Sequence, residues 1–495
     1  MPSLSDIQFY LPVSMDFVMI IPQLAVLAFM LGILLLDLLF SDDETRSTAA
    51  IAVLGLACAG FYSLRVLWGS SSYAFNHLLL IDNYGLFFNA LFCGGAILAV
   101  LISARYIERE GMALGEYYVI LLGAVLGMMI MASAGSLITV FVGIETLSIS
   151  LYALAGFNRE KPVSGEAAIK YLLLGSFATG FLLYGIALIY GTTGSFDIIT
   201  IGDHIKAHGG PDKVMLLGAV LILIGFSFKA SLAPFHMWAP DVYQGAPTPI
   251  SGFMSTAAKA AAFAVLFRVL SIAMPGLHKH WHALLYVIAI ITMIIGNLSA
   301  LGQGNIKRML AYSSIAHAGY LVIAILAAGR GEALGAQSIL FYLIAYTLMN
   351  MGAFGVLSAL ARRNQNNETI DSFAGIGYRH PAYAAAMTLF LVSLAGVPPT
   401  AGFFGKFYIF LSAVRADMIP LAIIGVLNAV VSVFYYLRVV VAMYMQEPGE
   451  EIERDKILWW PAALAIGISA AGIIAMGLLP GRFINLAASA ILSGI

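Results

Sequence analysis

Residues 228–263 read FKASLAPFHMWAPDVYQGAPTPISGFMSTAAKAAAF. Two lysines, Lys229 and Lys259, sit in it among apolar and small residues. Pro234 and Pro240 fall between them. A proline inside a helix removes a hydrogen bond and breaks or kinks the chain. The flanks on both sides are apolar for about a membrane's thickness, since roughly 20 residues of helix cross the hydrocarbon core. The stretch therefore predicts one interrupted membrane helix followed by one whose centre carries Lys259.

The rest of the chain agrees. Of its 495 residues 61% are hydrophobic and 10% charged, far from the mix of a soluble domain. The net charge of −1 provides no basic field for nucleic acid. The N-terminus lacks the basic flank and cleavage site of a signal peptide, so the first apolar run reads as a retained helix. Apolar runs lie near 17–40, 49–68, 81–104, 117–134, 137–157, 167–190, 214–236, 249–270, 282–302, 306–328, 334–360, 382–411, 418–445 and 459–479. They do not alternate as barrel strands would. The expected class is an all-α integral membrane protein of about 14 transmembrane helices, a single membrane domain over 1–495 with no soluble domain.

Loop charge sets the expected orientation. Arg46, Arg105, Arg109, Arg159, Lys161, Lys307, Arg308, Arg362, Arg363, Arg379, Arg454 and Lys456 fall on one side. Lys206, Lys213, Lys279, Arg330, Arg415 and Arg482 fall on the other. The first set marks the inside, which puts both termini outside.

An internal repeat is visible but faint. SLAPF (231–235) resembles the start of SLAGVP (393–398), and YLLLGSFATG (171–180) loosely matches YLIAYTLMNM (342–351). Glu145 in the fifth run lines up with His317 in the tenth. Five-helix halves in opposite orientation are a common transporter plan.

Four charged groups lie at membrane depth: Glu145 in GIETLSISLYALAGF (143–157), Lys229, Lys259, and Lys406 in SLAGVPPTAGFFGKF (393–407). Each costs about 2.5–3.5 kcal/mol to insert. Buried ion pairs or snorkelling would be a structural explanation; acid–base work is the functional one. Burial disfavours a charged amine and a nearby carboxylate favours it, so moving one relative to the other switches proton binding. Pro398 and Pro399, with Gly396, Gly402 and Gly405, interrupt the twelfth run near Lys406 as Pro234 interrupts the seventh near Lys229. Free carbonyls at such depth are tolerated along a wet path. His317, in QGNIKRMLAYSSIAHAGY (303–320) with Tyr312, Ser313 and Ser314 close by, suits proton handling; a histidine bonded to a neighbouring helix is the alternative. Lys307 and Arg308 begin that helix and read as interfacial, with proton entry at Lys307 the minority reading.

Other patterns carry little. His278, His280 and His282, and the pair His204 and His208, lack a catalytic metal ligand set. Cys58 and Cys93 form no CxxC, too few thiolates for a cluster. GFFGKF lacks the Ser or Thr of a P-loop. No cofactor, metal, nucleotide or nucleic acid is expected.

FKASLAPFHMWAPDVYQGAPTPISGF followed by TAAKAAAF resembles the antiporter-like membrane subunits of NADH–quinone oxidoreductase, respiratory complex I, with PDVYQGAPTP and AAKAA most similar to the subunit N branch. QGNIKRMLAYSSIAHAGY and GVPPTAGFFGKF fit the same family, and the resemblance is strongest from about 137 to 412. It implies fourteen helices: an N-terminal three-helix part (1–116), two inverted five-helix repeats (117–270 and 282–445) with helices 7 and 12 broken, and a C-terminal helix and tail (459–495). It implies a proton relay of Glu145, Lys229, Lys259 and Lys406, to which the residues themselves add His317. It implies proton translocation from the cytoplasm outward, coupled to quinone reduction elsewhere in the complex. Implied partners are the other membrane-arm subunits and lipid, with no NADH bound here and no redox centre in the chain. The retained first three helices resemble the bacterial form, which places the chain in a bacterial inner membrane. A sodium/proton antiporter subunit and a non-pumping scaffold are the rival expectations.

Overall fold

The computed structural model describes residues 14–39, 45–112, 115–207, 212–361, 368–447 and 460–491. Arg362, Arg363, Arg454, Lys456 and His208 lie outside the described residues, as does the side chain of Arg46.

Helices form wherever the apolar runs are long, and their ends follow local chemistry. Asp82, Ser136, Asp212 and Asn305 each accept a hydrogen bond from a first-turn amide of the helix that follows. Gly194 ends the Pro162–Thr193 helix in the left-handed conformation. Among the described residues, 11 helices are long and apolar enough to cross a membrane, and Glu116–Ala132 and Pro381–Ala395 are shorter apolar helices. Residues 133–136 separate Glu116–Ala132 from Leu137–Ala155, and these two helices pack closely on one another. The described strands form one small hairpin, Ser72–Ala74 with Leu79–Ile81.

Burial sorts the helices. Thr248–Ala273, Ile306–Gly329 and Ala333–Leu360 are almost wholly enclosed, whereas Ile21–Leu38, Pro162–Thr193 and Ile419–Met445 keep long apolar faces outward. An apolar outer face is what a lipid solvent allows. The three enclosed helices form the centre, and polar residues there must find partners inside the protein.

Two helices are interrupted where the prolines fall. Helical structure stops at Lys229 and resumes at Trp238–Gly245. It stops again at Ala395 and resumes at Ala401–Arg415. Ser231 takes φ 57° and Gly396 φ 91° within these breaks. Thr248–Ala273 is also irregular: π turns at Met254–Ala258 and Val269–Ala273 flank the α-helical segment Lys259–Arg268. Such turns are frequent at functional positions.

The two ends of the bundle are each clasped by ion pairs. At one end Arg268 grips Asp82 through two hydrogen bonds of 3.0 and 2.7 Å, with Tyr84 stacked under the guanidinium at 5.0 Å. Both charges are buried, so removing either partner would leave an uncompensated charge. At the other end Lys161 donates to Glu110 at 2.6 Å. Partial burial pulls the Lys161 ammonium down, but Glu110 together with Tyr106 and Glu368 holds it above its ordinary value. Asp241 there accepts from Lys170 at 2.8 Å and from Arg308 at 2.5 Å. Partial burial pulls its carboxyl up, yet those two cations hold it below the ordinary carboxylate range.

Candidate functional site

The first break builds the Lys229 site. Lys229 ends its helix, is buried, and donates to the Ser148 hydroxyl at 2.5 Å. The rings of Tyr152, Tyr171 and Phe228 lie 5.5, 5.6 and 5.7 Å from its amine. Those π faces suit a cation held from water. Ser148 is three residues from Glu145 on the same helix, and its own hydroxyl proton goes to the Ile144 carbonyl. Glu145 is half-buried and accepts from Thr179 at 2.8 Å. Among the described ion pairs Glu145 and Lys229 are not joined. Ser148 stands as Lys229's partner, with Glu145 one turn away.

Lys259 sits where the first π turn returns to α-helix, fully inside the protein. Its amine donates to the Ser314 carbonyl at 2.7 Å and to the Ser314 hydroxyl. One turn along the same helix, His317 is bonded at both ring nitrogens: Nδ1 with the Tyr342 hydroxyl, and Nε2 with the Tyr436 hydroxyl at 3.1 Å. Tyr436 also bonds Ser313. Lys259, Ser313, Ser314, His317, Tyr342 and Tyr436 thus form one buried cluster contributed by four helices.

Lys406 marks the second break. Its amine donates to the carbonyls of Leu394 and Ala395 at 2.8 and 2.9 Å, the last residues of the helix before the gap. A helix C-terminus carries partial negative charge and free carbonyls, so it holds a cation well. Gly396 permits this contact twice over. Its φ of 91° suits glycine, and a Cβ there would lie 3.0 Å from Lys406 Cδ. Tyr320 spans the distance back to the cluster: its ring lies 5.4 Å from the Lys406 amine and 5.5 Å from the His317 ring. The Tyr320 hydroxyl accepts from Asn297, which in turn accepts from Tyr435.

The structure therefore brings Lys259 and His317 together and places Lys406 one aromatic ring away. Glu145 and Lys229 form a separate site beside them. Among the described residues no protein hydrogen bond links Lys229 to Lys259. Tyr243 and Tyr346 turn their buried hydroxyls toward Ser314, and Asn350 lies beside Tyr346. Sequence reasoning missed Ser148, Tyr320, Tyr342 and Tyr436. Ser148 was findable from its spacing to Glu145; Tyr436 lies 119 residues from His317 and gives no local sign.

At the Arg268 end His278 meets Trp281 edge-on and His282 at a tilt, and Arg330 donates to His282 at 3.2 Å. Among the described residues no group of three or more His, Cys, Asp or Glu is placed to hold a metal ion.

Broken helices, buried amines and a central polar cluster define a membrane protein of the antiporter-like class. The family model for the NADH:quinone oxidoreductase/Mrp antiporter transmembrane region matches residues 134–432. An NADH-quinone oxidoreductase subunit N of Trichlorobacter lovleyi is 47% identical over 95% of this chain and 96% of its own length. A chain of respiratory complex I from Thermus thermophilus, solved with bound aureothin, is 35% identical with a TM-score of 0.79, covering 94% of this chain and 100% of that one. A chain of the membrane-bound sulfane sulfur reductase, an archaeal respiratory membrane complex, is 26% identical with a TM-score of 0.81, covering 96% and 97%. The chain belongs to the NADH-quinone oxidoreductase subunit N family.

Proposed function

We propose that the chain translocates protons in the membrane arm of NADH:quinone oxidoreductase, through a relay of Glu145, Lys229, Lys259, His317 and Lys406. The observation that carries this is the Lys259 amine, enclosed at the centre of the bundle and bonded to Ser314 one turn from His317. A cation at such depth is costly, and a leucine would pack there without that cost.

In this reading the Glu145–Ser148–Lys229 site is the handle. A charge change arriving from the quinone end alters the field at Glu145 and hence the proton affinity of Lys229. The face beside Glu145 leaves Val142 and Ile149 exposed and fits a neighbouring membrane-arm subunit. The buried hydroxyls of Tyr243 and Tyr346 beside Ser314 supply the polar groups through which a proton from the Lys229 side reaches Lys259. From there the proton passes through the His317 cluster to Lys406 and leaves. The Lys307 end faces the cytoplasm, and both termini face outward across a bacterial inner membrane. Residues 117–270 and 282–445 serve as the two inverted halves of a fourteen-helix chain that holds no cofactor of its own.

The test is Lys259→Ala in the assembled complex. Proton pumping should collapse while the complex still assembles. Undiminished pumping alongside quinone reduction would refute the reading.

A further inference from the structure

The relay needs a way in from water, and its buried Lys229, Lys259, His317 and Lys406 supply none. Lys307 begins the Ile306–Gly329 helix, and its side chain is only 2% exposed. Its amine donates to the Ala246 carbonyl at 2.8 Å and pairs with Glu368 at 3.1 Å. Glu368 is 35% exposed, so the buried amine meets water through that carboxylate. Ser314 lies about two turns, roughly 10 Å, further along the same face of the same helix, and it holds Lys259. Tyr243, three residues before Ala246, brings its buried hydroxyl close to Ser314. Surface carboxylate, buried amine, tyrosine hydroxyl and Ser314 thus follow one another inward.

We propose that Glu368 is the proton-collecting group of this end, taking protons from water and handing them to Lys307 for delivery toward Lys259. This rests on the reading of Lys259 as a proton carrier. A proton binds the Glu368 carboxylate from water. Its carboxyl O–H donates to the Lys307 amine once that amine has released its proton inward, and no other bond changes. Among the described residues, the charged groups facing Glu368 are Lys307 on the Ile306–Gly329 helix and Lys161, at the start of the Pro162–Thr193 helix, which is itself paired with Glu110. The Asn305 amide also donates to it at 3.4 Å.

The carboxylate is not what fastens its loop. The Glu368 carbonyl accepts from the Ile306 amide at 2.7 Å, and the Ile370 amide donates to the Gly304 carbonyl at 2.9 Å. Glu368→Gln therefore keeps the strap and removes the acid.

The experiment measures proton pumping by the whole complex in inside-out membrane vesicles, per assembled complex, from mildly acid to alkaline pH. Glu368→Gln should pump roughly tenfold more slowly at alkaline pH, less than a fully positioned acid–base group because water still reaches the mouth. Added formate, a small diffusible acid, should restore it. Glu368→His should outpump Glu368→Gln and lose activity as pH rises through the imidazole range near ~6.5. Wild-type rates in Glu368→Gln at every pH overturn the proposal. So does a loss that formate does not rescue and histidine does not improve. Should Glu368→Gln fail to assemble, the Glu368→His profile decides alone, and a wild-type profile there overturns the proposal. In each of these outcomes a defective Lys259→Ala leaves the relay reading standing.

Discussion

Ser148→Ala removes the hydroxyl to which Lys229 donates at 2.5 Å. Alanine leaves the amine with three aromatic faces and no hydrogen-bond acceptor among the described residues. A hydrogen bond to a charged group is worth about 1.5–3 kcal/mol, and the desolvated alternative is no cheaper. At 1.36 kcal/mol per decade, the protonated amine loses roughly tenfold to a hundredfold in population relative to the neutral form. Ser148 is fully enclosed and small, so alanine leaves little cavity and assembly should persist. The assay is dye-detected acidification of inside-out vesicles driven by NADH, normalised to assembled complex. Acidification should fall about tenfold or more in Ser148→Ala, and Ser148→Thr, which keeps the hydroxyl, should recover most of it. Full pumping in Ser148→Ala would refute the argument that this hydroxyl sets the proton affinity of Lys229.

Gly396→Ala should cost about 1–2 kcal/mol for its left-handed backbone and push Lys406 off the Leu394 and Ala395 carbonyls, slowing pumping in complexes that still assemble. Arg268→Met strands the buried Asp82 carboxylate and should lower the amount of assembled complex by about 3–5 kcal/mol of local stability; pairing it with Asp82→Asn should recover assembly, read on native gels. Asp241→Asn should lower the thermal stability of the solubilised complex by about 1 kcal/mol. Because the native Asp241 value is depressed, its contribution is present above the unfolded value near ~3.9 and is lost only as pH falls through the native one. The melting gap between wild type and Asp241→Asn should therefore stay constant from about pH 7 to pH 5; a gap that closes over that range would contradict the assignment.

Much of this architecture is written locally in the chain. Run length and lack of alternation give membrane helices, and Pro234, Pro398 and Pro399 mark where two of them stop. The lysines stand out because an apolar neighbourhood makes any charge expensive. The partners of those lysines are not legible, because they come from distant sequence. Lys229 meets Ser148 across 81 residues, and His317 meets Tyr436 across 119. The family resemblance implies Glu145 and Lys229 as members of one relay, while packing interposes Ser148, since the carboxylate turns toward Thr179. Lys406 also looks like a free proton carrier in sequence. Folding seats it on the carbonyls that its own helix break exposes. Glu368 gives no sequence signal at all: it sits in a polar loop, and only the burial of Lys307 makes it notable.

The most direct test of the account counts protons moved per electron pair in vesicles carrying Lys259→Met, which keeps much of the side chain's shape and cannot hold a proton. A ratio below wild type, at an assembly level equal to wild type, is the predicted result. A wild-type ratio would mean that the buried amine at the centre of the bundle carries no protons.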